Sequence, residues 1–386
     1  MKKEIKTSIS LQNEEKLVNQ LVEAGYAFAA WRMPSKQQIN LIIALSIPTQ
    51  KQQSLVDLDK GFIINSYDDN HPAKPFHIPA DIQVVDESLQ IDPRINDSEF
   101  EAFIKKIEDS KLDKAQVKPT VSESLSSPFE QVVTKAIDEI AKGRFEKVVL
   151  SRYQDMALNS SFGAWSFFEK ICNAYPGAFC SLSHIPGKGI WVGASPELLI
   201  STDKNRFKTI ALAGTKPLDE SQNLREVAWT HKEIEEQAFV SRYIINCFKK
   251  LRLREFHEHG PKTVRSGSLV HLKTEFEVKY DEVYFESLAD QMLELLHPTS
   301  AVCGMPIDEA KPWIHEVEGY DRAFYAGFLG PVNFNDSTDL FVNLRCMRVQ
   351  DDTARMYAGA GITEDSDPVK EMEETEMKMQ VMKRFL

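Results

Sequence analysis

The 386-residue chain has no apolar run near the roughly 18 residues that a membrane-spanning helix needs, and its mean hydropathy is −0.34. No span is therefore expected. The N-terminal Met1-Lys2-Lys3-Glu4 has no apolar stretch behind it, so a secretory signal is not expected either. The five cysteines, Cys172, Cys180, Cys247, Cys303 and Cys346, show no CxxC spacing, which argues against zinc and a disulfide framework. They read as reduced core thiols of a cytoplasmic protein. An excess of positive charge is also missing. The net charge is −12, which disfavours nucleic acid as a partner. An anionic ligand would need a local basic pocket within an acidic protein. No internal repeat stands out.

The chain does have ample core material, with 42% hydrophobic residues and 22 Phe. Its length fits one large domain or two to three small ones. Residues 13–24 read as a helix stopped by Gly25, and 41–47 and 61–64 as strands. The polar stretch 109–127 reads as a surface linker. Ser127-Pro128-Phe129-Glu130 then opens a helix with a capping box, and Gly143 ends it. Strands are expected at 147–152, 189–200 and 206–213, and a long helix over about 230–250. Strands in groups with helices between them predict an α+β fold. The division expected is 1–115, poor in motifs; 116–127, a linker; and 128–386, which carries the chemistry.

The final thirty residues are the most informative. Gly359-Ala360-Gly361 ends a strand whose bare backbone admits a close ligand. Asp367-Pro368 starts a helix on which Glu371, Glu374 and Lys378 share a face. Carboxylates a turn apart need positive charge between them, and Mg2+ prefers oxygen ligands of this kind; a solvated acidic face is the other reading. Thr230 and Glu233 form a capping box, and Glu236 lies one turn on. If that face meets the one of Glu371 and Glu374, four carboxylates converge and demand a cation.

Lys147 shares a strand face with Phe145 and Val149. It is either a desolvated base or an edge-strand lysine that discourages aggregation. Glu197, in the apolar run Gly193-Ala194-Ser195-Pro196-Glu197-Leu198-Leu199, is either a protonated general acid or a surface glutamate at a strand end. Arg345 is expected on a strand, sharing a face with Asn343. It is placed to grip a carboxylate with two hydrogen bonds or to form a cross-strand salt bridge. His271 and the His297-Pro298-Thr299 turn read as structural by themselves.

Ten segments, in this order, resemble the chorismate-utilising enzymes, the family of isochorismate, salicylate, anthranilate and aminodeoxychorismate synthases. They are KVVLSR (147–152), GASPELLI (193–200), ALAGTKP (211–217), KEIEEQ (232–237), HLKT (271–274), LHPTSAVCGMP (296–306), EGYDR (318–322), the turn at 327–331, NLRC (343–346) and AGAGITEDSDPVKEMEETEMK (358–378). The resemblance covers roughly 125–386. It implies a single large chorismate-binding fold, with antiparallel sheets in two intertwined halves flanked by helices. It also implies that Glu236 and Glu374 hold Mg2+, with Glu233 and Glu371 around it through water. Arg345 and the backbone near Gly359 and Gly361 would hold the enolpyruvyl carboxylate, and Thr215, His271, Thr299 and Lys378 would line the site. Lys147 as base and Glu197 as acid would face opposite sides of the ring. Three positions depart from the family pattern: Ser300 where Pro is frequent, Gln237 where His is frequent, and Met372 where an aromatic is common.

Within the family, a lysine at 147 suits water rather than ammonia as nucleophile. Ala213 stands where aminodeoxychorismate synthases carry a lysine. The resemblance therefore implies an isochorismate synthase, with salicylate synthase as the alternative and a non-catalytic carboxylate- or metal-binding homologue as a remote one. A cytoplasmic monomer is expected, with chorismate as substrate and no glutaminase subunit. Its product would feed menaquinone or siderophore synthesis.

Overall fold

The computed structural model describes residues 3–5, 13–46, 49–50, 54–68, 75–85, 88–110, 123–124, 128–218, 223–266, 269–279 and 287–386. Most of the expected linker, and Ser127 as a helix cap, lie outside them. Within that stretch, Glu123–Ser124 pairs with the strand Lys147–Ala157. The helix that follows runs over Phe129–Ala141 with Pro128 at its cap.

Two large antiparallel sheets make the fold. Across the first lie Lys3–Ile5, Ser88–Ile91, Ile82–Val85, Ile39–Ala44, Ala27–Arg32, Phe179–Ile185, Gly189–Ser195, Cys346–Gln350, Thr353–Ile362, Lys147–Ala157 and Gly304–Met305. The second runs His257–Ser266, Leu269–Lys279, Arg206–Pro217, Leu198–Asp203, Thr338–Val342, Phe328–Val332, Gly61–Asn65, Phe76–Pro79 and Thr49–Gln50. Strands from the first hundred residues thus enter both sheets.

Side-chain alternation explains the layers. On Ala27–Arg32, Ala27, Ala29 and Trp31 join the cluster shared by both sheets, whereas Phe28 and Ala30 join a second cluster under the helices. A strand covered on both faces is apolar at nearly every position. Across the gap Phe179 stacks on Phe341 with centroids 4.0 Å apart, and Trp31 meets Phe62 at 5.5 Å. The outer cluster draws on the helices Glu14–Glu23, Asp97–Asp109, Ala164–Ala174 and Pro368–Lys383. On the second sheet, the helix His231–Lys250 buries Val240, Ile244 and Phe248 and is pinned by Gln237 Nε2, which donates to Ala211 O and Thr274 Oγ1.

Two strand expectations need correction. The run 189–200 is two strands, because the chain leaves the first sheet after Ser195 and enters the second at Leu198. Arg345 is not on a strand. The chain leaves the second sheet after Val342 and enters the first at Cys346, and Arg345 lies in that crossing with φ +48. Alternation cannot anticipate such a crossing, because the apolar pattern continues through it.

A buried ion pair anchors the strand that begins at Lys147. Arg322 Nε donates to Glu318 Oε2 at 2.8 Å, Ser151 N–H donates to Glu318 Oε1 at 2.6 Å, and Arg322 also donates to Val302 O and Val149 O. Both side chains are at most 3% exposed. Removing one partner leaves an uncompensated buried charge. Glu318→Gln should therefore cost about 3–5 kcal/mol in chemical denaturation; a loss under about 1 kcal/mol, the range of exposed pairs, would show that the pair is not an anchor.

Candidate active site

Lys147 is the first residue of its strand and is 1% exposed. Its Nζ donates to Glu236 Oε1 at 3.0 Å. Glu236 is on the second turn of the helix His231–Lys250, and its Oε2 accepts from Gly214 N–H at 3.3 Å. Gly361 lies against both partners. A Cβ there would stand 2.9 Å from Glu236 Oε1 and 2.9 Å from Lys147 Cε. The glycine is needed because a side chain would fill the meeting point of the pair.

Gly214 and Thr215 form a bulge opposite His271, where the register slips between Ala213 and Lys216. Gly214 has φ +68, a conformation open to glycine at little cost. The bulge turns Gly214 O onto His271 Nδ1 at 3.0 Å, with Thr215 Oγ1 at 3.3 Å. His271 Nε2 is buried with no protein partner. Burial, and then Arg345, push this imidazole down to about 3, so the ring is neutral.

Glu197 and Arg345 occupy the two crossings between the sheets, and their backbones are tied together. Val342 N–H donates to Glu197 O at 3.0 Å, and Ala194 N–H donates to Arg345 O at 3.0 Å. Irregular backbone here aims both side chains away from either sheet's alternation. Burial pushes the Glu197 carboxyl up to about 8, against the pull of Lys147, Arg345 and Lys378. It is therefore protonated at neutral pH. Burial also pulls the Arg345 guanidinium below its ordinary value, while Tyr325, Glu374 and Glu197 act the other way. No protein hydrogen bond or ion pair holds that guanidinium among the described residues, so the cross-strand salt bridge weighed from the sequence does not form.

The helix Pro368–Lys383 brings the remaining charges. Asp367 caps it by accepting from Val369 N–H and Lys370 N–H. Lys378 Nζ donates to Gly359 O at 2.8 Å and to Glu374 Oε1 at 2.6 Å. Glu371 Oε1 takes Lys232 Nζ, from the first turn of the other glutamate helix, at 2.5 Å. Lys232 thus reaches from one glutamate helix to the other, and the charge beside each of these carboxylates is supplied by a lysine. Glu233 sits further out, capping Thr230 and lying 3.6 Å from Lys216.

Burial raises the Glu236 carboxyl, but Lys147, Lys378 and Lys232 outweigh burial and hold it below its ordinary range. Glu371 moves the other way, because burial exceeds the pull of Lys232. Among the described residues no three His, Cys, Asp or Glu side chains are drawn together as a metal cluster. The donor chemistry nonetheless suits a hard divalent cation, and Glu371 Oε2 is buried without a partner.

Thr299 lies on the loop beside Lys147, where Val149 N–H donates to Cys303 O and Cys303 N–H to Thr299 O. Thr299 Oγ1 and Ser300 Oγ are both buried and unpartnered. Among the described residues no side-chain hydrogen bond joins them to the rest of the site. Two participants escaped the sequence reading. One is Lys232, whose i−1 position beside Glu233 gave no sign that it reaches the other helix. The other is Tyr325, which stacks on Tyr357 and whose hydroxyl lies 3.0 Å from where a Gly359 Cβ would stand. Nothing in the spacing around Tyr325 marked it.

Residues 80–386 match the chorismate binding enzyme family. The chain belongs to that family. Isochorismate synthase EntC of Escherichia coli (strain K12) is 31% identical over 261 residues, 66% of this chain and 66% of that protein. The chain thus aligns with just under two thirds of that relative's length. Isochorismate synthase MenF of Bacillus subtilis (strain 168) is 29% identical over 257 residues, 65% of this chain and 54% of that protein. In fold, the chain is similar to the menaquinone-specific isochorismate synthase MenF from Escherichia coli, with a TM-score of 0.76 at 20% identity over 100% of this chain and 93% of that one. The α+β expectation of two antiparallel sheets flanked by helices is met by this chorismate-binding fold. No helix among the described residues is long and apolar enough to cross a membrane.

The raised Glu197 carboxyl has a thermodynamic signature. Between its ordinary value of 4.5 and about 8, the folded chain binds this proton and the unfolded chain does not. Its contribution is fully present below the unfolded value and is lost as pH rises through the folded one. Glu197→Gln should match the parent in thermal unfolding near pH 4 and exceed it by on the order of 1–3 kcal/mol near pH 8. Parallel pH profiles for the two proteins would contradict a buried, protonated Glu197.

Proposed function

We propose that the chain is an isochorismate synthase, converting chorismate to isochorismate by adding water at C2 of the ring and losing the C4 hydroxyl. The observation that carries this reading is that buried Lys147 and protonated Glu197 lie close to Arg345, a guanidinium with no hydrogen bond or ion pair among the described residues. The names of the relatives support the same activity.

Each residue has a job that follows from its chemistry. Lys147 is the base that takes a proton from the attacking water. The ring double bonds shift, and Glu197 gives its proton to the departing hydroxyl. Acid and base help of this kind contributes about 100- to 10,000-fold per group. Arg345 holds the enolpyruvyl carboxylate in a two-point grip, beside the open backbone at Gly359 and Gly361. Thr215, His271, Thr299 and Lys378 line the substrate. His271, being neutral, offers Nε2 as a hydrogen-bonding group without adding charge. Glu236 and Glu374 would hold Mg2+, with Glu233 and Glu371 around it through water. When bound, Mg2+ supplies the positive charge that fixes the ring carboxylate.

Water is the nucleophile in this reading because Lys147 stands where a base can reach it. Ala213, buried beside the Gly214 bulge, leaves no amine to attack the ring. Isochorismate would then enter menaquinone or catechol siderophore synthesis.

Incubated with chorismate, Mg2+ and an ammonium salt, the protein should form isochorismate and no anthranilate or aminodeoxychorismate. The reaction should stop at a mixture reachable from either side, and EDTA should abolish it. Lys147→Ala should lower kcat by about 100-fold or more with little change in KM. Stoichiometric pyruvate release would instead establish a salicylate synthase, and no turnover of chorismate would establish a non-catalytic homologue.

A further inference from the structure

Each glutamate of the cleft lies against a lysine: Glu236 on Lys147 at 3.0 Å, Glu371 on Lys232 at 2.5 Å, Glu374 on Lys378 at 2.6 Å, and Glu233 on Lys216 at 3.6 Å. Three of these lysines have a second place in the structure. Lys147 faces Glu197, Lys378 holds Gly359 O, and Lys216 donates to Ala228 O. Lys232 is different. Among the described residues its ammonium hydrogen-bonds Glu371 alone, and its side chain is 33% exposed against 2% for its partner. It can swing into water, and Glu371 cannot. Glu371 also keeps Oε2 buried and unpartnered. The field on Lys232 comes from Glu371, Glu374 and Glu236, three of the four carboxylates to which the metal reading assigns Mg2+.

We propose that Lys232 is a built-in counter-ion that competes with the divalent cation for Glu371 and thereby sets the cation affinity of the site. It is a positioning residue, bridging the first turns of the two glutamate helices. Like charges in a partly desolvated cleft repel strongly, so a cation entering beside Glu371 must share that carboxylate with Lys232 or drive the ammonium into solvent. The exposed stem makes the second course available. Without the lysine, Glu371 would lose the ammonium beside it while Lys147 and Lys378 stay on Glu236 and Glu374, and a cation beside Glu371 would relieve it. The inference rests on the metal reading given above.

The test is calorimetric titration of the full chain with MgCl2 in the absence of substrate, for the parent, Lys232→Gln and Lys232→Arg. The Gln variant should bind Mg2+ about fivefold or more tightly, whereas Arg, which keeps the charge, should stay within about twofold of the parent. In EDTA the Gln variant should also unfold at a lower temperature than the parent, and saturating Mg2+ should close that gap. Should Gln not fold, Lys232→Met, which keeps the apolar stem, reads the same affinity. A parent that binds Mg2+ with a Gln or Met variant that binds equally or more weakly would overturn this inference alone. A parent that binds no Mg2+ would overturn the metal reading, and this inference with it.

Discussion

Lys147 and Glu236 meet 3.0 Å apart where a strand of one sheet faces a helix packed on the other, and the site is arranged around that contact. Gly361 leaves room for it, Gly214 N–H supports the second oxygen of Glu236, and the bulge that frees that N–H also fixes His271. The constraint behind these details is charge balance. Glutamates from two helix starts cannot share a desolvated cleft unless positive groups share it with them. Four lysines meet that need from within the chain. Glu197 escapes the requirement by keeping its proton, and Arg345 is left with its charge unmatched. One positive charge is thus left for an anionic group to match.

The two-sheet architecture supplies a second ingredient. Glu197 and Arg345 lie where the chain changes sheets, at 196–197 and 343–345, and there side chains escape the in-and-out alternation of a strand. The left-handed backbone at Arg345 carries a modest steric cost for a non-glycine residue. Neighbouring bonds hold it in place: Ala194 N–H on Arg345 O, and Asn343 Nδ2 donating to Phe324 O at 2.9 Å. The Glu318–Arg322 pair does the same for the strand of Lys147, through Ser151 and Val149. Glu197, Lys147 and Arg345 are thus each tied by backbone contacts a few residues away, as the proposed site requires.

Much of this was legible in the residue order. The capping box at Thr230 and Glu233 and the Asp367-Pro368 helix start follow from local rules and are present, whereas the strands were recognised but their ends were missed by up to five residues. The segments at 147–152, 193–200 and 358–378 pointed to Lys147, Glu197 and the glutamate helix together. Three things were not legible. Periodicity continued smoothly through the sheet crossings, so Arg345 was expected on a strand. Lys232 was given no role by its local spacing, because its partner lies 139 positions away. Tyr325 reaches Gly359 only through tertiary packing. Local pattern reports which face a side chain takes, whereas contact between distant faces is fixed by how layers stack.

The central claim is that one cleft adds water to a ring carbon on the side of Lys147 while Glu197 protonates the hydroxyl that leaves. The most direct test is conversion of chorismate in oxygen-18 water, with the position of the label in the product read by mass spectrometry and NMR. Solvent oxygen should appear in the C2 hydroxyl of isochorismate, and the original C4 oxygen should be lost to solvent. A product whose C2 hydroxyl carries the oxygen that began on C4 would contradict the account, because no water would then have passed between Lys147 and the ring.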